Sequence, residues 1–467
     1  MDILLVSSEI APFLHKTEVA EVVAALSKTM RQVGHSVTVV VPFSTAYEEG
    51  GLLLARRLTP LKLDEQDSVT VCDTQLTSGV QLSLLQLGPE TNGRGDLPQT
   101  YRFARAVAAW VHERREIGVR IEVIHVLDWL GALVGVAVQA LRDPPPVVMT
   151  VHDLSGQGDV ARAAASDSSL GSLSQLPQLA LGAELNAAAA ALRTAKCVTT
   201  VSDAYANQLK DPAVSGELAA LFQELSPPII GIAAGIDYSR YNPTIDPFTV
   251  ARYDAEDHAP KAICKTALQR EVGLELDLDT PLFFHPGPLT NTAVGRVVVE
   301  SLERLLDQPL SLVIGKRVQD DESLVREVEQ LAQKWPGRVA LQDLSAPTAL
   351  HRAISGADFA LLTSQKSPLE TIHLFAQRYG TLPVAIASGV FADSLVDCDA
   401  KMETGHAFVF EQPTTDEVLG AVARALSAYR QPEFARLRRR AMKRDLGWER
   451  PTRRMVQVYR QALGIHL

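Results

Sequence analysis

The sequence predicts an α/β protein built as two doubly wound domains. Short apolar runs of strand length alternate with helical patterns, that alternation is broken near residues 227–238, and a second series begins at Pro281. Residues 2–9 form an apolar run with polar ends, Ala11-Pro12-Phe13 turns the chain, and residues 19–33 carry a helical pattern. In an open α/β domain such a turn lies at the carboxyl end of the sheet, where glycine lets backbone N–H groups approach a phosphate. Here it reads Lys16-Thr17-Glu18-Val19, so a carboxylate and a β-branched side chain are expected where bare backbone is needed.

Residues 37–42, 82–87, 121–126 and 147–151 read as further buried strands, with helices at 100–115 and 131–141 between the later ones. This is the rhythm of a parallel sheet covered on both faces. Residues 159–178, rich in Ser, Ala and Gly, read as a loop; an alanine-rich helix at 179–194 then precedes a strand at 197–202. In the second series, strands fall at 281–286, 310–314, 339–341, 359–362 and 382–386. Domains are therefore expected over 1–234 and 235–467, with a terminal helix at 453–463 able to pack back on the first domain and a ligand cleft between the two.

With 467 residues, 46% hydrophobic and 21% charged, the chain can bury a substantial core. A net charge of −10 without a broad basic stripe argues against a nucleic acid partner. The one cationic run, 436–444, lies in a late helical pattern and reads either as a solvated face or as an anion-binding one. Cys72, Cys197, Cys264 and Cys398 have neither CxxC spacing nor histidine companions, which points to a reducing compartment and no zinc site. No apolar run is long enough to span a bilayer, and the first residues, with Asp2 and Glu9, do not form a leader. The expected location is the cytoplasm, with no membrane partner.

A set of short motifs runs in order along nearly the whole chain. In the first half these are Met1-Asp2-Ile3-Leu4-Leu5-Val6-Ser7-Ser8-Glu9-Ile10-Ala11-Pro12-Phe13, Gly34-His35-Ser36-Val37, His125 with Asp128-Trp129, and Val151-His152-Asp153-Leu154 with Gln157-Gly158. In the second they are Gly235-Ile236-Asp237 with Asn242-Pro243, Lys265 with Ala267-Leu268-Gln269-Arg270-Glu271-Val272-Gly273-Leu274, Gly356-Ala357-Asp358-Phe359, Arg378-Tyr379-Gly380-Thr381-Leu382-Pro383-Val384 and Thr404-Gly405. Each motif is weak alone, but the ordered set is specific and resembles that of the bacterial glycogen and starch synthases. The resemblance implies a GT-B fold, two Rossmann-like domains facing across a cleft, and retaining glucosyl transfer from ADP-glucose to an α-1,4-glucan with no metal and no further cofactor. Fixed cations and backbone donors must then stabilise the departing diphosphate.

The departures fall on that chemistry. The family loop K-T-G-G-L-A-D-V is here Lys16-Thr17-Glu18-Val19-Ala20-Glu21-Val22, one residue shorter and without the glycine pair. Where the family carries S-R-L and then Q-K-G, this chain has Gly287-Pro288-Leu289 and Thr292-Ala293-Val294, so both cations are missing; Arg296 is nearby in sequence but displaced. Ser367-Pro368-Leu369-Glu370 stands for E-P-C-G, with Glu370 three residues late, and Ser388-Gly389-Val390 keeps one glycine of a pair. Lys16, Thr17 and Gly389 are thus the remnants of a donor site.

Two candidates for sugar chemistry remain. His152 either presents its carbonyl or ring to a sugar or caps the next turn, and Asp128 either accepts from a sugar hydroxyl or caps a helix. Trp129 is a stacking platform or part of the core. Losing one preorganised donor costs about 10²- to 10³-fold in rate, so a synthase-like pseudoenzyme that binds a glucan or a protein partner is expected. The alternatives are a working glycosyltransferase with a remodelled donor site, in glycogen or other polysaccharide biosynthesis, and a purely structural protein.

Overall fold

The strands Val147–Val151 and Cys197–Thr200 are buried at every position, as strands covered on both faces must be. The computed structural model describes residues 1–88, 97–155, 159–161, 175–317, 320–344, 346–363 and 371–465. The chain divides into two compact units, one of residues 1–234 with 448–467 and one of residues 235–447. The fold is α/β, with a largely parallel sheet in each unit.

In the first unit the strands follow the order Ile230–Gly231, Cys197–Thr200, Val147–Val151, Val123–Val126, Asp2–Val6, Ser36–Pro42, Gln81–Gln86, Ser68–Gln75 and Ala55–Arg56. Ser68–Gln75 runs antiparallel to Gln81–Gln86, which the parallel reading of the sequence did not include. Only a few residues separate the two strands, too few for the crossover that a parallel pair requires. The terminal helix Glu449–Ala462 belongs to this unit. Its buried residues Thr452, Met455, Tyr459 and Ala462 recur at helical spacing and face the strands Val147–Val151 and Cys197–Thr200.

Two expected helices are shorter than the sequence suggests. Asp128 caps a single 3₁₀ turn, Trp129–Gly131, and only Val134–Val138 is α-helical; the chain then continues in i→i+3 turns such as Leu141 N–H to the Val138 carbonyl. The alanine-rich helix covers only Ala187–Thr194, because Gly182 (φ 51°) turns a hairpin between Ala180–Leu181 and Glu184–Asn186. Asn186 then starts the helix by accepting from the Ala189 N–H at 2.9 Å. Of the expected loop at 159–178, Asp159–Ala161 pairs with Glu184–Asn186, and residues 162–174 lie outside the described residues.

The second unit holds a six-stranded parallel sheet ordered Val339–Asp343, Ser311–Lys316, Leu282–His285, Phe359–Leu362, Leu382–Ile386 and Phe408–Phe410. Its centre is held by a buried ion cluster. Asp358 Oδ2 meets Lys265 Nζ at 2.8 Å, and Asp358 Oδ1 meets Arg438 Nη2 at 2.7 Å. The same carboxylate accepts from the Leu282 N–H at 3.0 Å, which ties the cluster to the first strand of the sheet. Lys265 also donates to the Leu278 and Thr280 carbonyls.

Burial alone would raise the Asp358 carboxyl, but Lys265 and Arg438 hold it below its ordinary value. Its contribution to stability is therefore full above the ordinary carboxylate range and is lost as pH falls through the depressed folded value. Asp358→Ala should destabilise the fold by about 3–5 kcal/mol, because two buried cations lose their partner. Urea unfolding followed by circular dichroism measures this.

Candidate functional site

At the carboxyl ends of the first unit's central strands, a set of polar side chains converges on the turn after Asp2–Val6. Asp128 Oδ2 accepts from the Ser8 N–H at 2.5 Å and the Ser7 hydroxyl at 3.1 Å, while Oδ1 accepts from the Leu130 N–H at 3.0 Å. This carboxylate joins two strand ends and caps the turn Trp129–Gly131. Trp129 is 8% exposed and donates to the Asp153 carbonyl at 2.9 Å, which makes it core and not a platform.

Glu9, 1% exposed, closes the neighbouring turn. Its carboxylate accepts from the Lys16 N–H at 2.5 Å and from the Thr17 hydroxyl. Lys16 itself is exposed, and its amino group has no carboxylate partner among the described residues. Val19 is buried in the helix Val19–Gln32, so the bulk expected in the turn lies in the core instead, and Glu18 is left at the helix start. Tyr47 is buried beside this pair of acids, and its phenol is pushed up by burial first and by Glu9 and Asp128 next.

His152 is 6% exposed, and its Nδ1 has no hydrogen-bond partner among the described residues; the ring also lies against the Leu127 carbonyl. It neighbours His125, whose Nδ1 is 2.7 Å from the Tyr459 hydroxyl and whose Nε2 is 2.6 Å from Thr150 Oγ1; Thr150 Oγ1 in turn lies 2.6 Å from Thr199 Oγ1. Burial, and secondarily the His152 charge, pulls His125 down to about 3. Tyr459 thus couples the terminal helix to the sheet by a buried hydrogen bond that sequence patterning did not reveal.

In the second unit the corresponding strand end is Leu282–His285, followed by Pro286, Gly287-Pro288 and the helix Ala293–Leu306. Thr292 caps that helix, and a Cβ on Gly295 would lie 2.1 Å from the Thr290 carbonyl, so only glycine allows the turn to close. Arg296 is exposed and bonds to Glu300 at 3.3 Å and to Asn291 at 3.0 Å. Arg317, not singled out from the sequence, does reach the loop. Its Nε donates to the Pro286 carbonyl at 2.9 Å, and it forms no ion pair among the described residues. Asp320 holds the same corner together, accepting from the Leu289 and Arg317 N–H groups at 2.9 and 2.7 Å. Gly389 follows the strand Leu382–Ile386 with φ 53° and open space where a Cβ would stand. Residues 367–370 lie outside the described residues.

Residues 2–224 match the starch synthase catalytic domain family. The whole chain is similar to Glycogen synthase 2 of Geobacter sulfurreducens, with 30% identity covering 99% of each. The chain belongs to the glycogen and starch synthase family. A glycogen synthase of Burkholderia thailandensis is also 30% identical, over 98% of this chain and 90% of that protein. The catalytic domain of starch synthase IV from Arabidopsis thaliana, solved with ADP and acarbose, superposes with a TM-score of 0.84 at 21% identity, covering 99% of each chain. The fold is accordingly GT-B. Within this family member, many motif residues make internal bonds. Lys265 and Asp358 form the buried cluster, Tyr379 donates to Asp246 at 2.5 Å, Thr381 donates to the Ile354 and Ala357 carbonyls, and Arg378 donates to Asn242 at 3.0 Å.

His125, His152, His285 and His406 are all pulled below the ordinary imidazole value, burial being the largest cause in each. They are neutral when folded and free to protonate when unfolded. Stability is full above about pH 6.5 and falls as pH drops toward the folded values, by about 1.4 kcal/mol per pH unit for each such histidine. Urea midpoints measured from about pH 7 down to about pH 5 should decline, and His125→Gln should make that decline shallower.

Proposed function

We propose that this synthase-family chain binds an α-glucan at the first unit's strand ends and has lost most of the family's glucosyl transfer from ADP-glucose, serving as a glucan-binding or regulatory protein in the cytoplasm, with an active synthase as a possible protein partner. The observation that carries this reading is the charge at the donor side. In the second unit positions 288 and 293 are Pro and Ala and Arg296 is tied to Glu300; in the first unit, taken by itself, the Lys16-Thr17 turn is closed on the Glu9 carboxylate. A departing diphosphate would lack the two cations that the family supplies at positions 288 and 293, and each missing donor costs about 10²- to 10³-fold in rate. His152 is the candidate sugar contact, since its buried Nδ1 has no hydrogen-bond partner among the described residues and a glucan hydroxyl would supply one. Asp128 is the weaker candidate: its carboxylate already serves three donors.

Arg317 favours a second reading. A guanidinium at the end of Ser311–Lys316, held by its Nε against Pro286, still has N–H donors for a phosphate, and the chain would then be a transferase with a remodelled donor site.

Calorimetry with ADP and ADP-glucose, run beside an assay of glucose transfer to glycogen, separates the two. The expected result is no transfer by the natural chain, a gain of ADP affinity in Pro288→Arg with Ala293→Lys, and co-sedimentation with glycogen that His152→Ala weakens about tenfold. Transfer by the natural chain that Arg317→Ala abolishes would establish the second reading instead.

A further inference from the structure

The helix Phe434–Met442 and the turn after it carry a cationic cluster that the donor-site reading does not use. Arg436, Arg439, Arg440, Lys443 and Arg444 surround a surface hollow of about 350 Å³. Against them, among the described residues, stands one carboxylate, Glu256, which pairs with both Arg439 and Lys443, the latter at 2.5 Å. The nearby acids Glu433 and Asp445 form no ion pair with the cluster among the described residues, and Asp445 is taken up by the Tyr238 hydroxyl and the Gly447 N–H. Asp254 is turned into its own loop, accepting from the Glu256 and Asp257 N–H groups.

Two of the cations are built in. Arg440 donates to the Gly405, Met402 and Thr404 carbonyls at 2.8, 3.0 and 3.1 Å, and Arg444 donates to Gln377; neither has a carboxylate partner among the described residues. Three of the five N–H groups of Arg440 are occupied, so the group is fixed in place with donors to spare. Burial first, then Arg444 and Arg440, hold the neighbouring His406 down to about 3. Cations at a helix C-terminus are favoured by its dipole, which accounts for Arg439 and Arg440. It does not account for Arg436, which lies in the first turn, has no acidic partner among the described residues, and stands one helical turn from Arg440, where like charges repel.

We propose that this hollow binds a small phosphorylated anion, with Arg436 and Arg440 as direct ligands, Arg444 behind them, and Arg439 and Lys443 at the rim. Arginine suits that chemistry because its fork donates two parallel bonds to a phosphate. The inference does not rest on the donor-site reading.

The test is calorimetric titration of the full chain at low salt with inorganic pyrophosphate and, separately, inorganic phosphate. Saturable pyrophosphate binding is expected, weakened about tenfold or more by Arg436→Glu and by Lys443→Gln, and unchanged by Arg317→Ala. Both weakening variants alter exposed side chains, and thermal melts check that they fold. Phosphate binding as tightly as pyrophosphate assigns a single-phosphate ligand, and tighter pyrophosphate binding assigns a diphosphate. No saturable binding of either anion, equal affinity in the folded Arg436→Glu and Lys443→Gln proteins, or loss on Arg317→Ala would overturn the assignment.

Discussion

The second unit is organised around one carboxylate. Asp358, at the start of Phe359–Leu362, bonds Lys265 from the helix Lys261–Val272, Arg438 from the helix Phe434–Met442, and the N–H that opens the strand Leu282–His285. A buried charge must be paired, so these elements can take only the arrangement that brings both cations to it. Arg438 adds a bond to the Gly380 carbonyl at 3.0 Å, and Lys261, buried without a carboxylate partner among the described residues, satisfies itself on the Ser355 carbonyl and the Thr381 hydroxyl at 2.8 and 2.9 Å. The strand ends beyond this cluster inherit their positions from it.

This separates scaffold from chemistry within one set of motifs. Residues that match the synthase family and lie in the second unit's interior, Lys265, Asp358, Tyr379 and Thr381 among them, bond to other parts of the same unit. The departures at positions 288 and 293 lie on the loop and helix start beyond Leu282–His285. A chain can therefore keep a GT-B scaffold while the electrostatics at its strand ends drift. The first unit follows the same logic, with Asp128 and Glu9 serving as caps for backbone N–H groups.

Much of the framework was legible as sequence. The strands at 147–151, 359–362 and 382–386 were read to the residue, because unbroken apolar runs with polar ends have one economical burial. Ser68–Gln75 was not read as a strand, although its buried Val69 and Val71 show the period of two. The helix at 179–194 was overextended because composition cannot see that Gly182 reverses the chain first. Trp129 reads in sequence as a platform or as core and Val19 as bulk in the turn, but their places depend on which side of the backbone meets the core. Arg317 carried no signal, since a lone arginine after a strand gains meaning only once parallel pairing of Ser311–Lys316 with Leu282–His285 sets it beside Pro286.

The sequence by itself determined the family, the alternation of strand and helix, and the absence of the two family cations, because these are properties of residue order and of local apolar period. Tertiary structure decided which polar groups are already satisfied. Asp128 and Glu9 are spent on neighbouring turns, Arg296 on Glu300, and His125 on a tyrosine far away in the chain, while His152 Nδ1 has no partner among the described residues. Hydrogen bonds and ion pairs are short-range and directional, so they are settled only when distant segments are brought to within about 3 Å of one another.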